Sequence, residues 1–530
     1  GGDYSLKAPD PVYNAVKSLG FEEAAKETSR IAEIVNVQLD LNTHKMPTFP
    51  VPEGETSNSY LRKLCENNLP NRVANPTVDY IERLDKELAV ISEMGFSDYF
   101  LIVWDIMLYA HQQNIFTGSG RGSAAGSLVA YLLEITNVDP IQYNLLFERF
   151  LNEERFTLPD IDLDFPDNQR EKILHYIFNR YGSANVAQIG TIGTYGAKSA
   201  IRDVNRVFGQ SQEQIKRWAK AIPSGPDVSL NHGDRNTELN KILNENATNQ
   251  KIYDVAKKIE GSNRHVSTHA AAVVISNEPI VNRVPLQKGS GEIHLTQYTM
   301  ESVEKVGLLK LDILGLRNLS ILADCIRFIP YENNGKKIDI DAIPLDDYST
   351  LEIFQNGSTD GIFQFESSGI RRVLKRLKPN SFEDIVAVNA LYRPGPMEQI
   401  DLFIKRKNGQ EPIQYPHEDL KEILEVTYGI MVYQEQVMQV ASKLAGYTLN
   451  EADILRRAIS KKDHAAIENG RKTFVEGAMN KGYSKETALE VYGYIERFAD
   501  YGFNRSHAVA YSKIAYQLAY VKANFPASFF

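Results

Sequence analysis

The chain has 530 residues, of which 43% are hydrophobic and 24% are charged. This composition is typical of globular proteins and excludes disorder, collagen and coiled coil as the overall class, and the length suggests about three or four domains. The formal net charge of -9 excludes a global positive field, so a polyanionic partner has to bind local basic patches.

Cysteine content and hydropathy restrict the cellular compartment. Cys65 and Cys325 are the two cysteines, too few for a disulfide framework or a CxxC zinc site, and this fits a reduced cytosolic compartment. The longest apolar stretch, residues 99–109, is too short to cross a bilayer and contains Asp105. The first thirty residues show no signal peptide, so we expect a cytoplasmic protein without a membrane partner.

Hydrophobic periodicity predicts a mixed α/β arrangement over the first 320 residues and a mostly helical region from about residue 350 onward. A proline-rich segment at residues 46–54 indicates a boundary. Helices are predicted over residues 11–19, 22–35, 77–94, 100–113, 197–208 and 211–222. Strands are predicted over residues 186–192, 271–275 and 306–313.

Residues 118–127 read GSGRGSAAGS and open a predicted helix that ends near residue 133. Glycines let the backbone approach a bulky anion, the helix start supplies free N–H groups, and Arg121 and Ser123 add a guanidinium and a hydroxyl. This pattern indicates a phosphate-binding turn. The alternative is a glycine-rich helix start that packs tightly on a sheet. A P-loop is excluded because the sequence lacks its lysine motif.

Residues 159–165 read PDIDLDF. In a strand, alternation places Asp160, Asp162 and Asp164 on one face and apolar side chains on the other. Three like charges on one face repel one another, and divalent cations such as Mg²⁺ relieve the repulsion because they prefer hard oxygen ligands. We therefore interpret this segment as a metal site, with a solvated strand edge as the alternative.

A further acid, Asp312, interrupts the apolar run LLKLDIL at residues 308–314. Lys310 points to the same face because strand side chains alternate. Either the two form a structural salt bridge, or Asp312 joins the earlier acids while Lys310 binds phosphate. A Gly-Ser pair followed by Asp-x-Asp and a later strand Asp is the arrangement of nucleotidyltransferases, in which carboxylates hold two metals about 3.5–4 Å apart.

With these motifs the chain resembles the bacterial DNA polymerase III alpha subunit family, the C-family replicative DNA polymerases. The resemblance covers nearly the whole chain, and PDIDLDF followed by Pro-Asp-Asn is closer to the form without an embedded exonuclease. The stretches that carry it are GSGRGSAAGSLVAYLL from residue 118, LLFERFLNEERFTLPDIDLDF from 145, KLDILGLRNL from 310, ALYRPGPM from 390, ADILRRAISKK from 452 and YGFNRSHAVAYS from 501.

The resemblance implies template-dependent DNA synthesis, in which a primer 3′-hydroxyl attacks the α-phosphorus of a dNTP and pyrophosphate leaves. The family's catalytic acids, which are also ligands of two Mg²⁺ ions, correspond to Asp160, Asp162 and Asp312. The spacing alone does not rank Asp164 below them. The family's triphosphate contacts, which offset developing charge, correspond to Gly122, Ser123, Arg149, Lys310, Arg456 and Arg457.

Clusters of basic side chains are candidates for contacts with DNA phosphates, which position a duplex without reading its sequence. Lys198, Arg202 and Arg206 lie at i, i+4, i+8 on one helix face, in a segment that resembles the family's thumb. A solvated helix face is the alternative for each cluster, and Asp453 offers Arg457 a local ion pair in place of a triphosphate. The DNA-binding candidates are Lys198, Arg202, Arg206, Arg371, Arg372, Lys375, Arg376 and Arg393.

Some polar residues outside these clusters carry both a functional and a structural interpretation. The resemblance places Asn504, Ser506 and His507 beside the incoming nucleotide, with His507 as a candidate for excluding a ribose 2′-hydroxyl; a helix cap at Asn504 or Ser506 is the alternative. Arg393 precedes a proline in an extended turn and either faces DNA or braces the loop. A metal site at His265 and His269 is disfavoured because no glutamate or third ligand accompanies them.

The resemblance implies an α/β plus α architecture: a polymerase-β-like nucleotidyltransferase palm with a mixed sheet, a small helical thumb and large, mostly helical fingers. The family's PHP domain, OB domain and clamp-binding motif are not recognisable in this sequence. We therefore expect a sliding clamp and other replisome subunits to be partners of the full-length protein rather than of this chain alone. The expected domains are the trailing edge of a PHP domain with a linker at 1–40, the palm at 41–193 and 272–320, the thumb at 194–271 and truncated fingers at 321–530.

Two other functions stay open. A template-free nucleotidyltransferase of the polymerase-β superfamily accounts for the Gly-Ser and Asp motifs, but not for the long helical region and its basic clusters. A non-catalytic nucleic-acid-binding scaffold predicts a broken acidic triad, whereas all three acids are present.

Overall fold

The computed structural model describes residues 5–41, 43, 46–155, 157–225, 228–232, 236–289 and 293–530. The strands within these residues form one mixed sheet, as the resemblance implies. They are β1 (Asp162–Pro166), β2 (Val186–Thr194), β3 (Asn263–Ile275), β4 (Leu286–Gln287), β5 (His294–Thr296) and β6 (Leu309–Leu316). Their order across the sheet is β1-β6-β3-β2-β5-β4.

Strand β6 joins two segments that are distant in the sequence. It pairs in parallel with β1 on one side and antiparallel with β3 on the other. In this register, Asp312 lies directly between Asp162 of β1 and Ala272 of β3. The pairing therefore brings the two predicted acidic segments to adjacent strands at one edge of the sheet.

Helices from the first third of the chain form a large apolar core with this sheet. The apolar run at residues 99–109 is a buried helix, and its Asp105 accepts hydrogen bonds from the hydroxyls of Tyr176 and Tyr181 at 2.8 and 3.0 Å. None of the helices in the described ranges is long and apolar enough to cross a membrane. The helices are α1 (Pro9–Ser18), α2 (Glu22–Ile34), α3 (Ser57–Arg72), α4 (Val78–Glu93), α5 (Ser97–Gln112), α6 (Leu128–Leu132) and α7 (Arg170–Tyr181).

Four helices are inserted between β2 and β3 and have an apolar core of their own around Trp218 and Tyr253. The side chains of Ser211, Asn236 and Asn246 cap the last three helices by accepting backbone N–H bonds, which explains where these helices begin. The inserted helices are α8 (Ala197–Val207), α9 (Gln212–Ala221), α10 (Thr237–Glu245) and α11 (Ala247–Ile259), and α12 (Met300–Lys305) precedes β6.

The region after β6 is helical and has two apolar cores. The first core contains most of the buried side chains of the long helix Arg505–Asn524, and the second lies among the helices that precede it. The helices are α13 (Arg317–Glu332), α14 (Tyr348–Gln355), α15 (Ser368–Leu377), α16 (Phe382–Leu391), α17 (Ile400–Lys407), α18 (Lys421–Leu424), α19 (Gln434–Ala445), α20 (Leu449–Ser460), α21 (His464–Asn480), α22 (Lys485–Ala499), α23 (Arg505–Asn524) and α24 (Pro526–Phe529).

The predicted elements are present, but several of their bounds differ. Strand β6 covers Leu309–Leu316 rather than residues 306–313, α5 begins at Ser97 rather than at residue 100, and β1 begins at Asp162, so Asp160 lies before the strand and not on its face. Two further differences concern the glycine segment and β3. The glycine segment does not open directly into a helix, because Gly120 and Gly122 have positive φ and a short 3-10 turn, Ala124–Gly126, comes before α6. Strand β3 begins at Asn263 rather than near residue 271, because it continues with β2 as a two-stranded ribbon toward the inserted helices.

Candidate active site

Three aspartates converge where β1 and β6 lie side by side. Asp160 immediately precedes β1, Asp162 begins it, and Asp312 is the register partner of Asp162 on β6. One carboxylate oxygen from each residue lies within 4.8 Å of the other two. The Tyr99 hydroxyl accepts the backbone N–H of Ile161 at 2.8 Å and so holds the segment between the first two acids. This cluster can hold a metal ion.

The Asp312 carboxylate has one bonded oxygen and one orphaned oxygen. Its Oδ2 accepts a hydrogen bond of 2.6 Å from Nζ of Lys310, which also lies 3.2 Å from Oδ1 of Asp160. Its Oδ1 is buried and has no hydrogen-bond partner in the described part of the chain. A buried, unpaired carboxylate oxygen is costly, and hard oxygen donors suit Mg²⁺. These residues therefore fit the predicted divalent cation.

Like charges at this cluster change the protonation of its members. Burial, together with the charges of Asp160 and Asp312, raises the pKa of Asp162 to about 7. Burial opposes the charge of Lys310, but the hydrogen bond to Asp312 and the charge of Asp160 raise the Lys310 pKa above its ordinary value. The Lys310 ammonium is therefore the resident positive charge among the acids. The salt bridge between Lys310 and Asp312 is formed, and Asp312 also joins the earlier acids; phosphate binding by Lys310 stays a prediction.

Asp164 lies outside the cluster. Its side chain is only 1% exposed, and Oδ2 lies 3.3 Å from Nε of Arg121 and 3.4 Å from the hydroxyl of Tyr511. The backbone N–H of Gly118 donates to the Asp164 carbonyl at 3.0 Å, so the glycine turn covers this part of β1. Burial raises the pKa of Asp164. The structure thus distinguishes Asp164 from the other acids, which the spacing did not.

The N–H groups at the start of α6 are already bonded within the protein. The completely buried carboxylate of Glu87 accepts the backbone N–H groups of Leu128 and Val129 at 2.8 and 2.9 Å. Arg83 lies 2.7 Å from Glu87 and balances its charge. The prediction that this helix start offers free N–H groups to phosphate is wrong, because a protein carboxylate occupies the position that an anion would take.

Other groups of the glycine turn have different surroundings. The N–H of Gly122 is already bonded, because it donates a 3.1 Å hydrogen bond to Nδ1 of His507. Ser123 is the next residue of the turn. The side chain of Arg121 is 29% exposed. An anion at this turn would therefore meet the Ser123 hydroxyl and the Arg121 guanidinium rather than a helix N-terminus.

The three arginines that are predicted to contact a triphosphate, Arg149, Arg456 and Arg457, lie close enough to interact electrostatically. Arg456 and Arg457 both bond the completely buried carboxylate of Asp453, at 2.7 and 3.1 Å, so the local ion pair that the sequence offers as an alternative is formed. Arg149 donates from Nε to Oε1 of Gln434 at 2.8 Å. Burial, together with the charges of Arg456 and Arg457, lowers the pKa of Arg149 to about 10, against the charges of Glu435 and Asp453.

The start of α23 combines a helix cap with a buried histidine. Oδ1 of Asn504 accepts the His507 N–H at 3.3 Å, so Asn504 is the N-cap that the alternative interpretation predicts. Ser506 is completely buried beneath Gly126, out of reach of a nucleotide in this conformation. The His507 ring lies 4.2 Å from that of Tyr511. Burial and the charge of Arg121 lower the pKa of His507 to about 4.

The predicted DNA-binding cations of the inserted helices lie on the surface of α8. Arg202 is exposed, Lys198 donates to the Ser224 hydroxyl at 2.5 Å, and Arg206 pairs with Asp203 at 2.6 Å. The second cluster lies on α15, where Arg372 and Lys375 are exposed. Acidic partners bind the other two members of that cluster: Arg371 lies 2.5 Å from Asp360, and Arg376 lies 2.7 Å from Asp401.

Arg393 braces its loop, as one of its two interpretations predicts. It donates from Nε to the Ala390 carbonyl at 3.0 Å and from a terminal nitrogen to the Tyr501 carbonyl, and its guanidinium lies 4.9 Å from the centre of the Phe503 ring. His265 and His269 belong to no metal-type cluster in the described ranges, where the acidic triad is the one such group.

Sequence reasoning missed three groups around this site. Tyr99 orients the segment between two acids, Glu87 caps α6, and Arg155 lies near the triphosphate arginines, since Arg457 contributes to the lowering of its pKa after burial. Only Glu87 had a signal in the sequence. It falls on the apolar stripe of α4 between Leu84 and Ile91, where a charged residue needs a buried partner.

The fold and the site define a mixed α/β protein with a helical extension, in which an acidic cluster that can hold a metal ion lies next to a glycine turn. Two family models match it: the bacterial DNA polymerase III alpha NTPase domain over residues 59–315 and the bacterial DNA polymerase III alpha subunit finger domain over residues 318–482. The chain belongs to the family of bacterial DNA polymerase III alpha subunits.

Curated relatives support this membership along almost the whole chain. The DNA polymerase III subunit alpha of Bacillus subtilis is 53% identical over 528 residues, 99% of this chain and 47% of that protein. The Halalkalibacterium halodurans protein of the same name is 50% identical over 96% of this chain and 46% of its own length. That of Staphylococcus epidermidis is 45% identical over 96% and 48%. The chain therefore spans about half the length of these relatives.

Proposed function

We propose that this chain carries the synthetic site of a DNA-directed DNA polymerase, which adds dNMP from dNTP to a primer 3′-end under the direction of a template. The observation that carries the proposal is the cluster of Asp160, Asp162 and Asp312 around Lys310. Membership of the DNA polymerase III alpha family supports DNA as the substrate.

The three acids are the proposed catalytic residues and the ligands of two Mg²⁺ ions. Asp162 and Asp312 lie on adjacent, rigid strands, while Asp160 lies on the turn before β1, and its side chain is 64% exposed. When bound, the two ions would lower the pKa of the attacking hydroxyl and neutralise the triphosphate. The orphaned oxygen of Asp312 and the mutual repulsion at Asp162 support this assignment.

The proposed triphosphate contacts are Lys310 and the arginine group of Arg149, Arg456 and Arg457, together with Gly122 and Ser123. Their positive charges compensate the charge that develops on the phosphates during phosphoryl transfer. Lys310 already lies 3.2 Å from Asp160 and 2.6 Å from Asp312, and its side chain is 11% exposed. Of the α23 residues, His507 is retained as a nucleotide neighbour because it contacts Gly122.

The proposed DNA contacts lie on two helices whose cations reach the surface. Arg202 and Arg206 on α8 and Arg372 and Lys375 on α15 are exposed. We assign the inserted helices to a thumb, the sheet with its packed helices to a polymerase-β-like palm, and the helical region after β6 to fingers. The match of the finger-domain model over residues 318–482 supports the last assignment.

For the whole protein we propose replication of the bacterial chromosome in the cytoplasm, with a sliding clamp and other replisome subunits as partners. The printed name of the curated relatives, DNA polymerase III subunit alpha, supports this proposal.

Primer extension on a primed template with Mg²⁺ tests the proposed activity. We expect the unmutated chain to copy the template and Asp162→Asn and Asp312→Asn to abolish synthesis. Asp324→Asn is the matched control, because Asp324 lies on α13 directly after β6, is 54% exposed and pairs only at the surface, with Arg327 at 3.1 Å.

Three outcomes separate the open functions. Extension that depends on the template sequence supports the polymerase. Nucleotide addition without regard to the template supports the template-free transferase instead. Undiminished synthesis by Asp162→Asn or Asp312→Asn removes that residue from the catalytic set.

A further inference from the structure

Asp164 is a buried carboxylate beside the acidic cluster that takes no part in it. Its side chain is 1% exposed, and its Oδ2 contacts Arg121 at 3.3 Å and the Tyr511 hydroxyl at 3.4 Å. Its Oδ1 is buried and has no hydrogen-bond partner among the residues that the structure describes. A buried carboxylate is costly unless it is paired and hydrogen-bonded. Membership of the acidic cluster therefore does not explain why a carboxylate is buried at Asp164.

The backbone presents Arg121 toward Asp164. The residues on both sides, Gly120 and Gly122, have φ of +119° and +62°, values that favour glycine. A Cβ on Gly120 would lie 3.0 Å from a methyl group of Thr136, so this turn also packs closely. The turn conformation and the Asp164 contact together hold the Arg121 side chain in one direction.

Arg121 lies next to the acidic cluster, because Asp164, which it contacts at 3.3 Å, follows Asp162 by two residues on β1. The side chain remains 29% exposed, so its guanidinium is accessible from solvent on the side of the glycine turn. A guanidinium presents several donors in a planar fork that matches phosphate oxygens.

Helix α23 joins this pair through one aromatic side chain. The ring of Tyr511 lies 5.3 Å from the Arg121 guanidinium carbon, while its hydroxyl contacts Asp164. The same ring packs on His507, which accepts the Gly122 N–H. Asp164, Arg121 and Tyr511 thus connect β1, the glycine turn and the last long helix.

We propose that Arg121 binds the phosphate oxygens of the incoming nucleotide and that Asp164 is a positioning residue, which holds the Arg121 guanidinium for this contact and is not a metal ligand. The inference rests on the proposed function, because it assumes that a nucleotide binds next to the acidic cluster. It assigns the third acid of the PDIDLDF segment a role through Arg121 rather than through the metal.

Two affinities measured on the 530-residue chain test the proposal without requiring synthesis. The first is the Kd for Mn²⁺, measured by electron paramagnetic resonance in the absence of nucleotide. The second is the Kd for Mg²⁺-dATP, measured by calorimetry with a primed template whose primer ends in a dideoxynucleotide. The variants are Asp164→Asn, Arg121→Ala and the two combined.

We expect Asp164→Asn to leave Mn²⁺ binding unchanged. Both single variants should weaken dATP binding, Arg121→Ala by about tenfold because one charge-assisted contact is lost. The double variant should be no weaker than Arg121→Ala, since Asp164 acts through the arginine. Arg121→Lys should recover only part of the affinity, because lysine lacks the planar fork.

Asp384→Asn is the matched control for the loss of a buried carboxylate. Asp384 is 2% exposed and has the same kinds of partners as Asp164, the Tyr428 hydroxyl at 2.9 Å and the Lys407 ammonium at 3.5 Å, but it lies on α16. Thermal unfolding of both variants separates destabilisation from a change in nucleotide affinity. We expect Asp384→Asn to lower stability without changing dATP affinity.

Distinct results overturn the proposal. Loss of Mn²⁺ binding in Asp164→Asn makes Asp164 a metal ligand, and dATP affinity that Arg121→Ala leaves unchanged removes the phosphate contact. Additive losses in the double variant remove the coupling. A chain that binds dATP through Arg121 yet extends no primer contradicts the polymerase assignment alone, whereas normal extension with unaltered dATP affinity in Arg121→Ala contradicts only this inference.

Discussion

The backbone N–H of Gly122 donates a 3.1 Å hydrogen bond to Nδ1 of His507, which joins the glycine turn to α23. Imidazole accepts a hydrogen bond at Nδ1 only when that nitrogen carries no proton. Burial and the charge of Arg121 lower the pKa of His507 to about 4, so the ring is neutral at physiological pH. The contact between these two segments therefore depends on a neutral histidine.

We expect acid to weaken the folded state through His507. Its pKa is lower in the folded chain than its ordinary value of about 6.5, so its stabilising contribution is complete above that value and is lost as the pH falls toward 4. The charged and titratable neighbours that face it are Arg121 and Tyr511. Urea unfolding between pH 4 and 8 should show a shallower pH dependence for His507→Gln than for the unmutated chain.

His175→Gln is the control for the pH measurement, because His175 is exposed on α7. It should leave the pH dependence as it is. A His507→Gln curve parallel to that of the unmutated chain would mean that the Gly122 contact tolerates a protonated ring.

Removal of Lys310 should make the acidic cluster more dependent on divalent cations. Lys310 lies 2.6 Å from Asp312 and 3.2 Å from Asp160, so Lys310→Met leaves the acids without their resident counter-charge. We expect Lys310→Met to have a lower Tm than the unmutated chain in EDTA and a larger rise in Tm on addition of Mg²⁺. A ligand that binds the folded state stabilises it by an amount that increases with the ratio of ligand concentration to Kd. Thermal melts in EDTA and in Mg²⁺ measure both; equal shifts in the two proteins contradict the expectation.

Glu87 should be essential for the stability of the region around α6. Its buried carboxylate bonds two backbone N–H groups, the Ser127 hydroxyl and Arg83. Glu87→Ala leaves the two N–H groups buried without this acceptor and the Arg83 guanidinium, which still donates to the Gly126 and Leu145 carbonyls, without its counter-charge. The expected loss is about 3–5 kcal/mol in the free energy of unfolding. Glu66→Ala is the control, because Glu66 is 56% exposed in its pair with Arg62, and a surface pair contributes about 0–1 kcal/mol. Similar losses in both variants would be inconsistent with this account.

A methyl group at Gly126 should be destabilising. Its Cβ would lie 2.7 Å from the Leu146 carbonyl oxygen and 3.3 Å from Oγ of the buried Ser506. We expect Gly126→Ala to cost about 1–3 kcal/mol, as overpacking does. Gly493→Ala is the converse control within α22, where nothing lies within 4 Å of the added Cβ, and it should stabilise by about 0.5–1 kcal/mol. Denaturant titrations of both variants decide whether the signs differ.

Arg202 and Arg393 should separate a DNA contact from a structural brace. Arg202 is exposed on α8, so Arg202→Ala should weaken binding to primed DNA and reduce the slope of log Kd against log salt by about 0.9. Arg393 is bonded to the carbonyls of Ala390 and Tyr501, so Arg393→Ala should lower Tm and keep the salt slope. An unchanged slope in Arg202→Ala would exclude that phosphate contact.

Sequence patterns predicted the strands and helices of the site because those patterns are local. The alternation in PDIDLDF and the apolar run around Asp312 each predict a strand, but neither contains the register that pairs Asp162 with Asp312. Resemblance to a family linked these segments; spacing alone did not. The separation of Asp164 from the other acids follows from Gly118, Arg121 and Tyr511, which lie elsewhere in the sequence.

Long-range partners also explain the one wrong prediction at the glycine turn. A helix start that looks free in the sequence is capped by Glu87, a residue of another helix. Local charge patterns were more informative about ion pairs. Asp453 is predicted as a local ion-pair partner of Arg457, and it forms salt bridges with both Arg456 and Arg457.

The position of β6 between β1 and β3 has a consequence for synthesis on the ribosome. A nascent chain that ends before Leu309 contains β1, β2 and β3 but lacks the strand that joins β1 to the rest of the sheet. Until β6 emerges, β1 and β3 have unpaired edges, which are prone to wrong association. The acidic cluster consequently assembles late, by insertion of one strand after the inserted helices have been made, and an incomplete chain carries only two of its three acids.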